Sequence, residues 1–320
     1  MMTNPAEPRP AWRHGPVGVV GLGLIGGSLG LDLQTAGAEV RALVRREATA
    51  TRARDRGLAS VVSTDPSVLA GCDLVVLALP LDQLLAPPPA LLEALPEGGA
   101  VLTDVGSVKG PLLPVWSAAL RRLGRERQAR RFVPSHPMAG TAEAGVEAGV
   151  RDLFVARPWV VTPADDTDPE ALALVADLAA TLGARWVCCE ATAHDAAVAL
   201  ISHLPVLVSA ALLQTADRGS AGEGQPASSQ PSQSQTSQSS SLPSLVRTLA
   251  SSGFADTTRV GGGNPELGTL MARGNREAVL QALASYRHSL DQLEQLVRRE
   301  DWTELQQVLT ACRDLRPQFL

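Results

Sequence analysis

Two rhythms of apolar and polar positions run along this chain, and one gives way to the other near residue 190. Before that point come short runs rich in Val, Leu and Ala: Val17 to Val20, Glu39 to Arg46, Asp73 to Pro80, Ala100 to Asp104, Arg131 to Val133, Trp159 to Thr162 and Arg185 to Cys189. Runs of this length and composition are expected to be buried strands. The stretches between them are long enough for helices, such as Ala171 to Leu182, which Gly183 closes. Strands alternating with helices imply a mostly parallel sheet with right-handed crossovers. This first, Rossmann-type α/β domain is placed at residues 17–190. A polar tail at 1–16, lacking the apolar centre of a secretory signal, precedes it.

After residue 190 apolar positions recur three and four apart. His194 to Thr215 is nearly all Ala, Val and Leu, interrupted by His203 and Pro205. A helix apolar on most faces is expected inside a domain or between subunits. Val279, Leu283, Tyr286, Leu290, Leu293 and Val297 repeat the three–four spacing of helix-on-helix packing. An all-α domain over residues 191–320 that forms a homodimer is the expectation. Gly219 to Pro243 interrupts it with Ser, Gln, Gly, Pro and Thr. This segment has too little apolar surface to offset its ordering entropy, and is expected to be a disordered insertion with no catalytic role.

Composition narrows the class. Lys and Arg total 28 against 33 Asp and Glu, a formal charge of -5. Without a basic stripe, nucleic acid and anionic membranes are poor partners. Apolar runs such as Leu74 to Leu79 fall far short of a membrane span, so none is expected. Cys72, Cys188, Cys189 and Cys312 show no CxxC spacing. Buried thiols at the adjacent Cys188 and Cys189, in a reduced, cytoplasmic protein with no metal site, are the expectation.

Gly21-Leu-Gly-Leu-Ile-Gly26 follows the first strand directly and opens a helical pattern from Ser28 to Thr35. In that setting the first glycine permits a tight turn. The second lets a pyrophosphate approach the backbone, and the third lets helix and strand pack closely. The helix N-terminus offers free N–H groups to the phosphates. The second strand ends in Arg45 and Arg46, where an NAD site usually has an acid for the ribose 2′-hydroxyl. Two cations suit a 2′-phosphate, favouring NADP, while Glu47 one step beyond keeps NAD open. Leu22, Leu24 and Ile25 between the glycines, Leu79 and Pro80 closing one strand, and Asp104 closing another complete the expected cofactor-binding set.

Four side chains could carry chemistry. Ser107 lies in the turn Val105 to Lys109 at the sheet's carboxyl edge, where ligands bind in such folds. His136 sits in Pro134 to Gly140, expected to be a loop leaving a strand at the same edge. His203 lies in an apolar helix, where a hydrogen-bonded core histidine explains it as well as a ligand does. Arg259 precedes a glycine run and could grip a carboxylate bidentately, or simply cap a helix.

Taken together and in order, Gly21 to Ser28, Asp104 to Lys109, Ser135 to Gly140, Ile201 to Pro205 and Ser251 to Pro265 resemble the prephenate/arogenate dehydrogenase family. The resemblance spans nearly the whole chain, and the Ser/Gln-rich insertion falls between its motifs. It implies NAD(P)-dependent oxidative decarboxylation of prephenate to 4-hydroxyphenylpyruvate in tyrosine biosynthesis, or of arogenate to tyrosine. By the same resemblance His136 is the catalytic base on the substrate's 4-hydroxyl and Ser107 orients both. Arg259 would hold a substrate carboxylate with His203 nearby, and the helical domain would form the dimer. Two other readings are a β-hydroxyacid dehydrogenase, disfavoured because His194 to Thr215 contains no lysine, and a non-catalytic nicotinamide-nucleotide sensor.

Overall fold

The computed structural model describes residues 15–141, 143–221 and 242–319. Residues 1–14 of the predicted N-terminal tail and most of the predicted insertion lie outside them. The flanks of that insertion are helical: one helix runs on to Ala221 and the next begins at Leu242.

The first half of the chain builds, in order, β1 (Val17–Val20), α1 (Leu24–Thr35), β2 (Val40–Leu43), α2 (Glu47–Asp55), β3 (Val61–Ser63), β4 (Leu74–Leu77), α3 (Leu81–Leu85), α4 (Pro89–Ala94), β5 (Val101–Asp104), α5 (Leu112–Arg122), α6 (Glu126–Arg130) and β6 (Phe132–Val133). These strands form one parallel sheet in the order β3-β2-β1-β4-β5-β6. Period-two alternation sends Val17, Val19, Leu74, Val76 and Val101 into a core on one face. Val20, Val75, Leu77 and Leu102 enter a second core on the other. Both faces are covered, which is why these strands read as unbroken apolar runs.

Then follow β7 (Ser135–Pro137), β8 (Pro158–Val161), α7 (Pro169–Thr181) and β9 (Arg185–Cys188). They add a three-stranded sheet, β7-β8-β9, in which β7 pairs antiparallel with β8. Two sequence expectations are corrected here. Pro134 to Gly140 is not wholly a loop, because Ser135–Pro137 is a strand that fixes His136 opposite Val160. Cys188 is exposed and Cys189 half-buried, since β9 is an edge strand; Cys72 is buried.

The remainder is helical: α8 (Ala191–Val198), a π-helical turn (Ala199–His203), α9 (Leu204–Ala221), α10 (Leu242–Leu249), α11 (Ser252–Thr258), a 3-10 turn (Arg259–Gly262), α12 (Pro265–Gly274), α13 (Arg276–Arg298) and α14 (Trp302–Leu315). The expectation that no apolar run reaches membrane length also needs correcting. Ala191–Arg218 is one continuous helical stretch of 28 residues, apolar enough by length and composition alone to span a bilayer. It carries His194, Asp195 and His203 inward, all three buried. The helical domain folds back on the first: a Cβ on Gly274 would lie 3.5 Å from Leu81 and Val108.

Candidate active site

The sheet order reverses between β1 and β4, and a cleft of about 750 Å³ opens at that edge. Gly21, Leu22, Gly23, Arg45, Arg46, Leu79 and Pro80 line it. Gly21 has φ +93°, and a Cβ there would meet the Ala78 carbonyl oxygen at 2.4 Å. A Cβ on Gly26 would meet the Gly21 oxygen at 1.9 Å, so helix and turn touch where the third glycine is. Gly23, by contrast, faces open space. A Cβ would fill that space, which is the room a pyrophosphate needs beside the N-terminus of α1. Leu24 and Ile25 continue into the helix behind this lining. The exposed Arg45 and Arg46 guanidinium groups are engaged by no side chain among the described residues. Glu47 is drawn to Arg54 at 2.8 Å and does not line the cleft. Residues 144–147 form the opposite wall, held by Glu147 against Arg52 at 2.8 Å.

At the ends of β5 and β7 the polar groups are packed inward. Asp104, expected on the cofactor, is instead fully buried. Its carboxylate accepts from the Gly106 N–H (2.7 Å), the Ser135 N–H (3.1 Å) and the buried Lys109 ammonium. Lys109 also donates to the Ser135 carbonyl at 2.6 Å. The Ser135 hydroxyl donates to the Asp104 carbonyl at 2.6 Å, so β5 and β7 are stitched together. Asp104 therefore anchors the 105–109 turn from below, where an unpaired charge would be costly.

His136 rises from this base, and its Nδ1 lies 2.9 Å from the His194 Nε2. The His194 Nδ1 lies 2.8 Å from the Asp195 Oδ1. Asp195 in turn accepts from the backbone N–H groups of Lys109 and Gly110, each at 2.8 Å. His203 is buried on the π-helical turn, with Nδ1 3.3 Å from the Asn275 amide nitrogen and Nε2 unpaired. π-Helical turns often mark functional positions. Neither the half-buried Ser107 nor the exposed Arg259 is joined to this network. Arg259 heads a turn fastened to α9 by the Gly261 N–H, which donates to Ser209 Oγ at 2.8 Å.

Burial pushes His136 well below the usual histidine value of 6.5, and the nearby positive charge of Lys109 adds to it. Burial lowers His203 as well, against the opposing Asp195 charge. Lys109 is lowered by burial, with Asp104 pulling the other way. For Asp195, burial favours the neutral acid, yet hydrogen bonds from His194 and two backbone N–H groups hold the carboxyl below its ordinary value. The site thus offers an imidazole that is neutral at neutral pH and a buried ring nitrogen without a partner among the described residues, in a protein whose nucleotide cleft opens at the carboxyl edge of the parallel sheet.

Sequence reasoning missed Lys109, His194, Asp195 and Asn275. A signal existed for two of them: His194-Asp195 is a polar pair at the start of an otherwise apolar helix. Lys109 stood inside a recognised motif without a role, and nothing in the local sequence distinguished Asn275.

Fold and site define a two-domain nucleotide-binding protein with a titratable imidazole at the sheet edge. The nucleotide-binding domain of prephenate dehydrogenase matches residues 29–188, and the prephenate dehydrogenase dimerization domain matches residues 227–311. The chain belongs to the prephenate dehydrogenase family, which are oxidoreductases. It is 38% identical to the Synechocystis arogenate dehydrogenase, over 95% of this chain and 100% of that one, with a TM-score of 0.74. Prephenate dehydrogenase from A. aeolicus, solved with hydroxyphenyl propionate and NAD+, is 26% identical over 95% of this chain and 98% of that one, with a TM-score of 0.78. Prephenate dehydrogenase of Bacillus subtilis is 26% identical over 93% of this chain and 74% of its own length. Family membership displaces the β-hydroxyacid dehydrogenase reading.

Proposed function

We propose that this protein is a prephenate dehydrogenase, converting prephenate to 4-hydroxyphenylpyruvate in tyrosine biosynthesis with a nicotinamide nucleotide. The observation that carries the reading is His136: an imidazole kept neutral by burial, fixed on a strand that is bonded to the end of β5, in the sheet whose β1 and β2 ends line the nucleotide cleft. The cleft fits the cofactor, because Gly23 leaves the space a pyrophosphate would occupy and the N-terminus of α1 faces it. A nicotinamide held there supplies a hydride acceptor for the substrate's C4. His136 takes the 4-hydroxyl proton as the C–H bond to C4 breaks, loss of the ring carboxylate as CO2 leaves an aromatic ring bearing a phenolate oxygen, and the imidazolium returns the proton to that oxygen. Imidazole must be neutral for that, and its depressed pKa ensures it. Ser107 orients the hydroxyl, His203 offers its unpaired Nε2 to a substrate oxygen, and Arg259 holds a carboxylate.

Arogenate is the second reading, favoured by the 38% identity to an arogenate dehydrogenase. The two substrates share the ring and differ in the side chain. NADP is the preferred cofactor in this reading, because Arg45 and Arg46 are free at the cleft while Glu47 is held by Arg54. A homodimer through the helical domain, in the cytoplasm, completes it. Leu290 (50%), Val297 (51%), Trp302 (56%) and Leu309 (56%) stand exposed on one protomer, a surface that a second copy would cover. Steady-state rates for prephenate and arogenate, each with NADP and NAD, test the assignment. Turnover of neither substrate with either cofactor overturns it.

A further inference from the structure

The base reading leaves one requirement unmet by His136 alone. A neutral imidazole has two tautomers, and only one leaves a given nitrogen free to accept a proton. His136 presents Nδ1 to His194. Its Nε2 is the remaining nitrogen, so the ring can act as a base there only if the proton sits on Nδ1.

The neighbours make that choice. Asp195 is an acceptor on both oxygens: Oδ1 takes the Lys109 N–H and Oδ2 the Gly110 N–H. An ionised carboxylate has no proton to give, so the contact at 2.8 Å must be donated by the His194 Nδ1. The His194 tautomer with its proton on Nδ1 is bare at Nε2 and accepts there, and the donor across the 2.9 Å contact is His136 Nδ1–H.

The same residue settles the second histidine from its other side. The Asp195 carbonyl can only accept, and it faces the Asn275 Nδ2 at 2.7 Å. That contact orients the amide with its NH2 group toward His203 Nδ1, 3.3 Å away. His203 therefore accepts at Nδ1 and carries its proton on Nε2, the buried nitrogen without a partner.

We propose that Asp195 is a tautomer-setting hub: through His194 it fixes His136 as Nδ1–H with a bare Nε2, and through Asn275 it fixes His203 as Nε2–H. His194, Asp195 and Asn275 are positioning residues. They act through the two histidines, making one an acceptor and the other a donor. The proposal rests on the reading above only for naming His136 the base.

Long-range proton–nitrogen correlation of histidine-labelled protein reads the ring tautomers directly and needs no substrate. The chain has five histidines, and loss of one signal in His136→Asn assigns His136. The wild type is expected to show His136 and His194 as Nδ1–H and His203 as Nε2–H. His194→Phe removes the acceptor, so His136 should become mainly Nε2–H. His194→Gln restores an acceptor oxygen near the former Nε2 and should restore Nδ1–H. On prephenate, His194→Phe should lower kcat by about tenfold to a hundredfold, part of a full general-base contribution, with both KM values within about twofold. His194→Gln should recover most of it. A wild-type His136 carrying Nε2–H overturns the proposal whether or not the variants fold. An unchanged tautomer in folded His194→Phe does the same. Failure of the wild type to turn over either cyclohexadienol would instead fall on the functional reading and leave the tautomers standing.

Discussion

At the nucleotide end of the cleft, Arg45 and Arg46 are exposed and unpaired, and Gly23 faces open space. At the chemical end, Asp104, Lys109, Ser135, His194 and Asp195 are buried and joined atom to atom. The contrast follows from what each end must do. A phosphate brings its own charge and three acceptor oxygens, so its site needs donors waiting in solvent and room to approach. A base must hold one nitrogen at one place in one protonation state, so its surroundings are buried and fully hydrogen-bonded. His203 Nε2 is a buried nitrogen without a partner among the described residues.

The contrast implies that changes at the chemical end act on kcat and changes at the binding end act on KM. His136→Asn should give the largest effect, lowering kcat by about 10²–10⁴ while cofactor affinity and fold persist. Near-wild-type turnover by this variant would move the base elsewhere, with His203 the first candidate.

Next comes Arg259→Ala, which removes a charge-assisted contact made before the transition state. The KM for prephenate should rise roughly tenfold to a hundredfold, while the KM for the nicotinamide nucleotide stays nearly unchanged. Equal loss for both would show that Arg259 braces the turn on α9 and does not meet the substrate.

A smaller effect is expected where solvent competes. Arg45→Asp combined with Arg46→Ala should shift preference from NADP toward NAD, read as the ratio of kcat/KM values. Should the wild type itself favour NAD by about tenfold or more, the assignment of these guanidinium groups to a 2′-phosphate is lost.

The pH effect is the least. His136 and His203 are both depressed in the folded chain, so between their folded values and 6.5 the unfolded chain binds more protons. Stability should therefore rise with pH through this window and fall as pH drops below about 6.5. Thermal melts in His136→Asn should show a weaker acid dependence than the wild type. By the same depression, kcat/KM should hold at its plateau until pH is well below 6.5. A fall centred near 6.5 would mean that the imidazole is not desolvated.

Much of this was legible in the chain's residue order. Five of the six strands of the parallel sheet fall in apolar runs of the sequence. The exception, β3, is an edge strand in which only Val62 of three residues is buried. β7 was hidden because Ser135-His-Pro137 lacks apolar alternation, and only pairing with β8 makes it a strand. Arg45 and Arg46 could be placed at the cleft because position at a strand end is local. Asp104 was placed on the cofactor by the same logic, but its carboxylate turns inward to Lys109.

The sequence by itself determined the elements whose cause is local: the glycine turn, the α/β alternation, the apolar helices beyond residue 190 and the cations after β2. Periodicity, turn chemistry and charge act over a few residues, so a few residues suffice to read them. Tertiary structure alone decided which polar groups meet. Asp195 reaches Lys109 across 86 positions, His136 reaches His194 across 58, and Asn275 reaches His203 across 72. A hydrogen bond needs its partners within about 3 Å, and sequence spacing carries no information about which distant residues folding will bring that close.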